Sequence, residues 1–403
     1  MRRHSFRNAV LLLAGALAGC GGGGNGDNWG LDKLWVCFDA KAVDIDGDGR
    51  LDLVTASYKG GVGDIQVLLQ TSPGVFSLAG DYPTGNGAWR LYVADLDGDG
   101  LPDIAVTDPD NRTVRWLRQD PLARGHFQPA QIIETGLAAE ELGVADLNGD
   151  GLTDLAISDG VYGSTRMGLR YQDPAHHGSF LPRVDLTLPG APENVVAGDI
   201  DGDGRADLFS WVYTNAYLTP QNGMFGVQFQ RSDGTLGPFT SLATLSNVSV
   251  ERLALGEPGA GGRRDLLAFY TSTANGYHRI LAVLRQGASG TFSAPLPTEV
   301  GDLKGWDDVA FADLNGDGLT DAVTVGVDGN SHAWLTVWLQ SGAGTFIPAR
   351  TYALPVLPST VTVGDLDGDG RPDLIWVSNR NIPYAMFQAH DGSGNFGAST
   401  ALH

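Results

Sequence analysis

The chain has 403 residues, 42% of them hydrophobic, which is enough for a packed core and excludes global disorder. Asp and Glu number 47 against 26 Lys and Arg, and the net charge of −21 excludes nucleic acid as a partner, because phosphate binding needs a basic face. The cysteine count of 2 excludes a disulfide framework.

Residues 1–20, MRRHSFRNAVLLLAGALAGC, read as a signal peptide. Arg2, Arg3 and Arg7 form the positive leader, and the apolar run Ala9 to Ala18 is too short for a permanent span. Leu17-Ala18-Gly19-Cys20 resembles the bacterial lipobox, in which the cysteine is lipidated and begins the mature chain. Cys20 is therefore the expected lipidation site; an ordinary secretory signal that happens to hold a cysteine is the alternative. A flexible Gly-rich tether follows over 21–34. These features predict a protein of the bacterial cell envelope whose only membrane contact is its lipid. Gly21 after Cys20 favours the outer membrane, facing the periplasm or the outside. Cys37 reads as a small buried thiol.

One repeat organises 35–403. The run Asp44-Ile45-Asp46-Gly47-Asp48-Gly49-Arg50-Leu51-Asp52 returns in the same form beginning at Asp95, Asp146, Asp199, Asp313 and Asp365. A worn copy spans Glu257 to Asp265. A second marker, Gly-x-Phe, keeps phase with the first at Gly74/Phe76, Gly125/Phe127, Gly178/Phe180, Gly290/Phe292, Gly344/Phe346 and Gly394/Phe396, with Gly234/Leu236 as the variant. Two phased markers give seven units. Each reads as four short strands, such as Leu91 to Ala94, Asp103 to Thr107, Thr113 to Gln119 and Phe127 to Glu134, separated by Gly, Pro, Asn and Asp turns. The expected fold is all-β: a seven-bladed β-propeller with four antiparallel strands per blade, the Phe packing between blades. The last unit is expected to own its fourth strand, with Lys33 to Phe38 adding an edge or cover.

The repeated run, D-x-[DN]-x-D-G-x-x-D, is a pattern of hard oxygen donors. Side chains at positions 1, 3, 5 and 9 converge and position 7 offers a carbonyl, a cage of the size calcium prefers. Gly at position 6 permits the sharp turn. An EF-hand would need Glu at position 12 and flanking helices; here the flanks are strands. Acidic turns that hold no metal are the alternative. Six divalent ions would cancel more than half of the net charge of −21.

These repeats resemble the FG-GAP/VCBS family, the propellers of integrin α subunits and many bacterial surface proteins. The resemblance implies that a structural calcium loop joins the first two strands of each blade. Carried onto this chain, the implied ligands are Asp44, Asp46, Asp48 and Asp52, then Asp95, Asp97, Asp99 and Asp103, then Asp146, Asn148, Asp150 and Asp154. They continue with Asp199, Asp201, Asp203 and Asp207, then Asp313, Asn315, Asp317 and Asp321, then Asp365, Asp367, Asp369 and Asp373. About six calcium ions are expected. None is expected between Glu257 and Asp265, where Arg263 or Arg264 stands in for a cation.

The residue five places before each loop is polar in every unit: Asp39, Arg90, Glu141, Asn194, Arg252, Asp308 and Thr360. Strand alternation puts these on a ring around the central channel, away from the Asp loops. With Trp89 and Trp306 beside it, the ring is a candidate ligand face suited to sugar hydroxyls and ring planes. Solvated strand ends whose charges pair across a wet channel are the plain alternative. Trp116, Trp211, Trp334, Trp338 and Trp376 read as core. No nucleophile elbow or zinc spacing is visible. The expected function is a monomeric recognition module for glycan or polysaccharide. The alternatives are an adhesion or assembly scaffold for a protein partner, and a polysaccharide lyase or hydrolase.

Overall fold

The computed structural model describes residues 36–59, 62–85, 88–161, 163–215, 221–274, 277–301, 308–327, 332–378, 383–386 and 395–402. The signal peptide, Cys20, the tether 21–34 and Trp306 lie outside the described residues.

Among the described residues the strands form seven four-stranded sheets, here called sheets 1 to 7 in chain order. Sheet 1 runs Val36–Val43, Asp52–Lys59, Val62–Ser72 and Val75–Gly85, each strand antiparallel to the one before it. The others span 91–134, 139–187, 191–246, 248–301, 308–353 and 358–401, each in the same up-and-down order. The first strand of each sheet lies beside the first strand of the next, and Val36–Val43 lies beside Pro358–Gly364 of sheet 7. The first strands therefore form a closed ring, the β-propeller arrangement of four-stranded antiparallel blades.

Sheet 7 is built from its own residues, ending in Thr400–Ala401. The expectation of an added edge at Lys33 to Phe38 is corrected: Cys37 and Phe38 belong to the inner strand of sheet 1, paired with Asp52–Lys59. Lys33 lies outside the described residues.

The core lies between sheets rather than within one. Val54, Ala56, Ile65 and Val67 of sheet 1 pack on Leu91, Ile104, Val106 and Leu117 of sheet 2. Second strands have neighbours on both faces, so Asp103–Asp108, Asp154–Asp159 and Asp373–Ser378 are buried throughout. Each Val, Leu or Ile so buried contributes about 1.5–3 kcal/mol. The Phe of the second marker packs across to a neighbouring sheet: Phe127 meets Tyr82 edge-on at 5.8 Å and Phe396 meets Tyr352 at 6.4 Å. Trp116, Trp211, Trp338 and Trp376 are buried, and Cys37 is a buried free thiol.

The inner strands carry a recurring irregularity. Register shifts fall at Cys37/Asp39, Pro192/Asn194, Val250/Arg252 and Pro358/Thr360, leaving Phe38, Glu193, Glu251 and Ser359 as the extra residues of β-bulges. In sheet 3 the shift sets Glu140 and Glu141 opposite Ser158. Each of these four extra residues immediately precedes the polar position of its inner strand: Asp39, Asn194, Arg252 and Thr360.

Candidate functional site

The Asp loops, numbered 1 to 7 in chain order from Asp44, Asp95, Asp146, Asp199, Glu257, Asp313 and Asp365, sit between first and second strands, and all but loop 5 share one geometry. In loop 1 (44–52) Asp44 Oδ1 accepts the backbone N–H of Gly47 at 2.8 Å and of Asp48 at 3.1 Å, and Oδ2 accepts that of Gly49 at 2.9 Å. Asp46 accepts the N–H of Asp48, and Asp48 accepts that of Arg50. The loop therefore coils around the first carboxylate. The path demands positive φ at two positions rather than the one expected from sequence: Gly47 at 76° and Gly49 at 89°. The matching pairs in the other five loops of this pattern do the same. At Gly49 a Cβ would meet nothing within 4 Å, so backbone conformation alone selects glycine there.

This coil brings carboxylates together. Ligand-type oxygens of Asp44, Asp46 and Asp48 lie within 4.8 Å of one another, as do those of Asp95, Asp97 and Asp99, and of Asp199, Asp201 and Asp203. In loop 7 the trio is Asp365, Asp367 and Asp373. Burial, then the adjacent carboxylate, pushes Asp97 and Asp201 up. Guanidinium groups approach the loops: Arg50 meets Asp48, Arg118 meets Asp97 and Asp99, and Arg205 meets Asp203. In loops 3 and 6 the Asn148 and Asn315 amides donate to Asp150 and Asp317 at 3.0 and 3.1 Å. The donor set, trios of crowded hard carboxylate oxygens, fits a calcium-sized cation.

Position 9 has a second duty. Asp52, fully buried, accepts the N–H of Ile45 at 2.9 Å on one oxygen and of Gln70 at 2.8 Å on the other. Asp103, Asp154, Asp207 and Asp321 repeat both bonds. Burial pushes Asp52 up to about 6 and the other four to about 7. The worn loop 5 isolates this duty: Asp265 still accepts the N–H of Gln286 at 2.8 Å although positions 3 and 5 are the glycines Gly259 and Gly261. The cation that pairs with Asp265 is Arg285 at 3.4 Å, whereas Arg264 donates to the Gly256 carbonyl. The assignment of that role to Arg263 or Arg264 is thereby corrected.

Sequence reasoning missed the glutamines. Gln70, Gln119, Gln172, Gln230, Gln286 and Gln340 each lie within two residues of the end of a third strand and pair there with the Phe or Leu of the second marker. The recurrence of Gln just before each Gly-x-Phe turn was the available signal.

At the other end of the inner strands the polar ring is largely paired with itself. Arg252 Nε lies 3.1 Å from Asp308 Oδ1, and its terminal nitrogen lies 3.9 Å from Asp39 across the channel. Asp308 also accepts from the Thr360 hydroxyl at 2.7 Å. Arg90 pairs with Glu141 at 2.7 Å and reaches the Glu251 carbonyl at 3.5 Å. Glu141 accepts from the Tyr92 hydroxyl at 2.7 Å. Trp89, half-buried, precedes Arg90. A cavity of about 150 Å³ remains, lined by Asp39, Lys41, Glu141, Asn194 and Arg252 among others. Asn194 is 5% exposed and its Oδ1 has no partner.

These features can be set beside known proteins. The chain is 28% identical over 219 residues to Integrin alpha-PS2 of Drosophila melanogaster, an overlap of 46% of this chain and 16% of that protein. The chain thus spans about a sixth of that relative's length. An FG-GAP repeat matches residues 357–400. An FG-GAP-like repeat matches 44–106, 95–157, 146–210 and 316–376, more than half of the sequence, and on that coverage the chain belongs to the FG-GAP-like repeat family.

Proposed function

We propose that this chain is a recognition module of the cell envelope whose Asp loops hold calcium and whose ligand face is the polar channel mouth. Loops 1, 2, 3, 4, 6 and 7 each take one ion through positions 1, 3, 5 and 9 and the position 7 carbonyl. Loop 5 takes none, its Asp265 being paired with Arg285. The ions stiffen the loop end of the propeller and leave the opposite end to the ligand. Cys20, if lipidated, anchors the module without a membrane span, facing outward from the outer membrane or into the periplasm.

The ligand reading is a glycan. The observation that carries it is Asn194, buried in a cavity of about 150 Å³ with an unpartnered amide oxygen, beside Lys41, Glu141 and Arg252. Such a wall offers acceptors and donors to adjacent hydroxyls. The volume falls below the range of about 300–1,000 Å³ of whole-ligand pockets, so it suits one branch of a polymer rather than a free small molecule. The test is a glycan array probed with calcium-loaded protein. A discrete hit that is lost in Asn194→Ala and Arg90→Ala supports the reading.

A protein partner is the second reading. It is favoured by the similarity to the integrin stretch and by the degree to which Arg90, Glu141, Arg252 and Asp308 are already paired. A blank array with folded, calcium-loaded protein, followed by a discrete cross-linked partner whose footprint covers the loops, would move the weight there.

A further inference from the structure

The glutamines near the ends of the third strands do more than close a turn. Gln119 Nε2 donates to the Ile45 carbonyl in loop 1, in the preceding sheet, at 2.8 Å. Its backbone N–H donates to Asp103 in loop 2, in its own sheet, at 2.8 Å. Asp103 in turn accepts the N–H of Leu96, whose carbonyl accepts Gln172 Nε2 at 2.9 Å. Gln172 continues to Asp154 through its backbone N–H. Gln230 Nε2 donates to the Asp146 carbonyl of loop 3 at 2.9 Å, and its N–H to Asp207 of loop 4. In the other direction Gln70 Nε2 donates to the Leu366 carbonyl of loop 7 at 3.0 Å, and Leu366 N–H donates to Asp373.

The result is an unbroken hydrogen-bonded belt from loop 7 through loops 1, 2 and 3 to loop 4. It crosses the point where the two ends of the described ring meet. It stops at sheet 5. Gln286 holds the same register and still donates its N–H to Asp265, yet its side-chain nitrogen and oxygen have no partner. Gln340 turns its amide to Thr320 of its own sheet rather than to loop 5.

We propose that Gln70, Gln119, Gln172 and Gln230 are positioning residues that couple loops 7, 1, 2, 3 and 4 into one cooperative cation-binding arc. The proposal rests on the calcium reading of the loops. A cation that draws positions 1, 3 and 5 together fixes the first peptide units of its loop. Those units carry the carbonyl held by the next sheet's glutamine. That glutamine's N–H holds the position 9 carboxylate of the next loop. Ordering one loop therefore lowers the cost of ordering its neighbour, which is positive coupling between sites.

The test is a titration of the calcium-stripped full chain with calcium alone, read against a competing chromophoric chelator. Wild type is expected to fill more steeply than independent sites, with a Hill coefficient above 1. Gln119→Met splits the arc, so the coefficient falls toward 1 and the midpoint rises by about five-fold, the lower end of ordinary site coupling. Gln286→Met, at the matching position without a tie, is expected to leave both unchanged. Gln172→Met repeats the cut elsewhere should Gln119→Met fail to fold, and the wild-type steepness needs no variant. Calcium bound with a Hill coefficient of 1 overturns the coupling and leaves the calcium reading standing. Equal effects of Gln119→Met and Gln286→Met do the same. No uptake of calcium overturns both.

Discussion

Gln70 donates its side-chain amide to the backbone carbonyl of Leu366, 3.0 Å away and 296 residues along the chain. It is a polar tie across the seam between sheet 1 and sheet 7, and it is fully enclosed, Gln70 being 3% exposed. The same seam is packed by Leu53, Phe76, Leu366, Ile375 and Leu402. A propeller closed only by apolar packing would resist radial slip poorly, since such packing is non-directional. Replacing Gln70 by Met keeps the volume and leaves the Leu366 carbonyl buried without its donor, at a cost of about 1–3 kcal/mol. Chemical denaturation checks this: Gln70→Met is expected to unfold earlier than wild type, whereas Gln286→Met, whose amide has no partner, is expected to stay close to wild type.

Removal of calcium is expected to weaken the fold. A site saturated at a hundred times its dissociation constant stabilises the folded state by about 2.7 kcal/mol. Several such sites together correspond to a fall in melting temperature of about 10 °C or more on chelation. Calorimetry with and without EGTA gives the answer, and a melt unchanged after exhaustive chelation removes calcium from the account.

The two duties of the loop carboxylates are separable. Asp97 belongs to the cation cluster, while Asp103 holds the N–H groups of Leu96 and Gln119. Asp103→Ala is expected to destabilise by about 2–5 kcal/mol even in EGTA, because two buried donors lose their acceptor. Asp97→Asn is expected to cost stability only when calcium is present to be lost. Melting both variants in EGTA distinguishes them, and equal melts there would contradict the division of labour.

The repeat was legible because each loop needs carboxylates at fixed spacing and glycines at positive φ, which few sequences satisfy by chance. The glutamine belt was harder to see. Gln70 follows Asp52 by 18 residues and Gln230 follows Asp207 by 23, because the hairpin between them varies in length. The bulges at Glu193 and Glu251 leave no residue signature, since a register shift is a property of the pairing and not of one strand. The polar ring was visible as a ring, but its partners were not: Arg252 and Asp39 meet only once the first strands have closed the circle.

Those bulges set up a pH dependence. Burial pushes Glu193 and Glu140 up to about 7 from an ordinary 4.5, and Glu140 and Glu251 add to the effect at Glu193. Both groups hold their proton more tightly folded than unfolded. The stability this contributes is complete below about pH 4.5 and is lost as the pH rises through about 7. Glu193→Gln is expected to flatten the fall over that window and to be the more stable protein above pH 7. Melting curves from pH 4.5 to 8 in saturating calcium measure it; parallel curves for the two proteins would place the titration elsewhere.

Arg252 carries the sharpest choice between a ligand face and a structural plug. Its side chain is 18% exposed and lies between Asp308 at 3.1 Å and Asp39 at 3.9 Å. Removing one partner of a buried ion pair leaves an uncompensated charge, at about 3–5 kcal/mol. Arg252→Met strands Asp308, while Asp39 keeps Lys41 at 3.1 Å, so it is expected to fall at the lower end of that range by urea denaturation. Thr360→Val, which removes only the hydroxyl that donates to Asp308, is expected to cost about 1 kcal/mol. Neutralising the stranded acid should restore part of the loss, so Arg252→Met with Asp308→Asn is expected to be more stable than Arg252→Met alone. If Arg252→Met unfolds at the wild-type midpoint, the guanidinium is held for a ligand rather than for the fold. Asn194, with its oxygen unpaired, would then share that ligand.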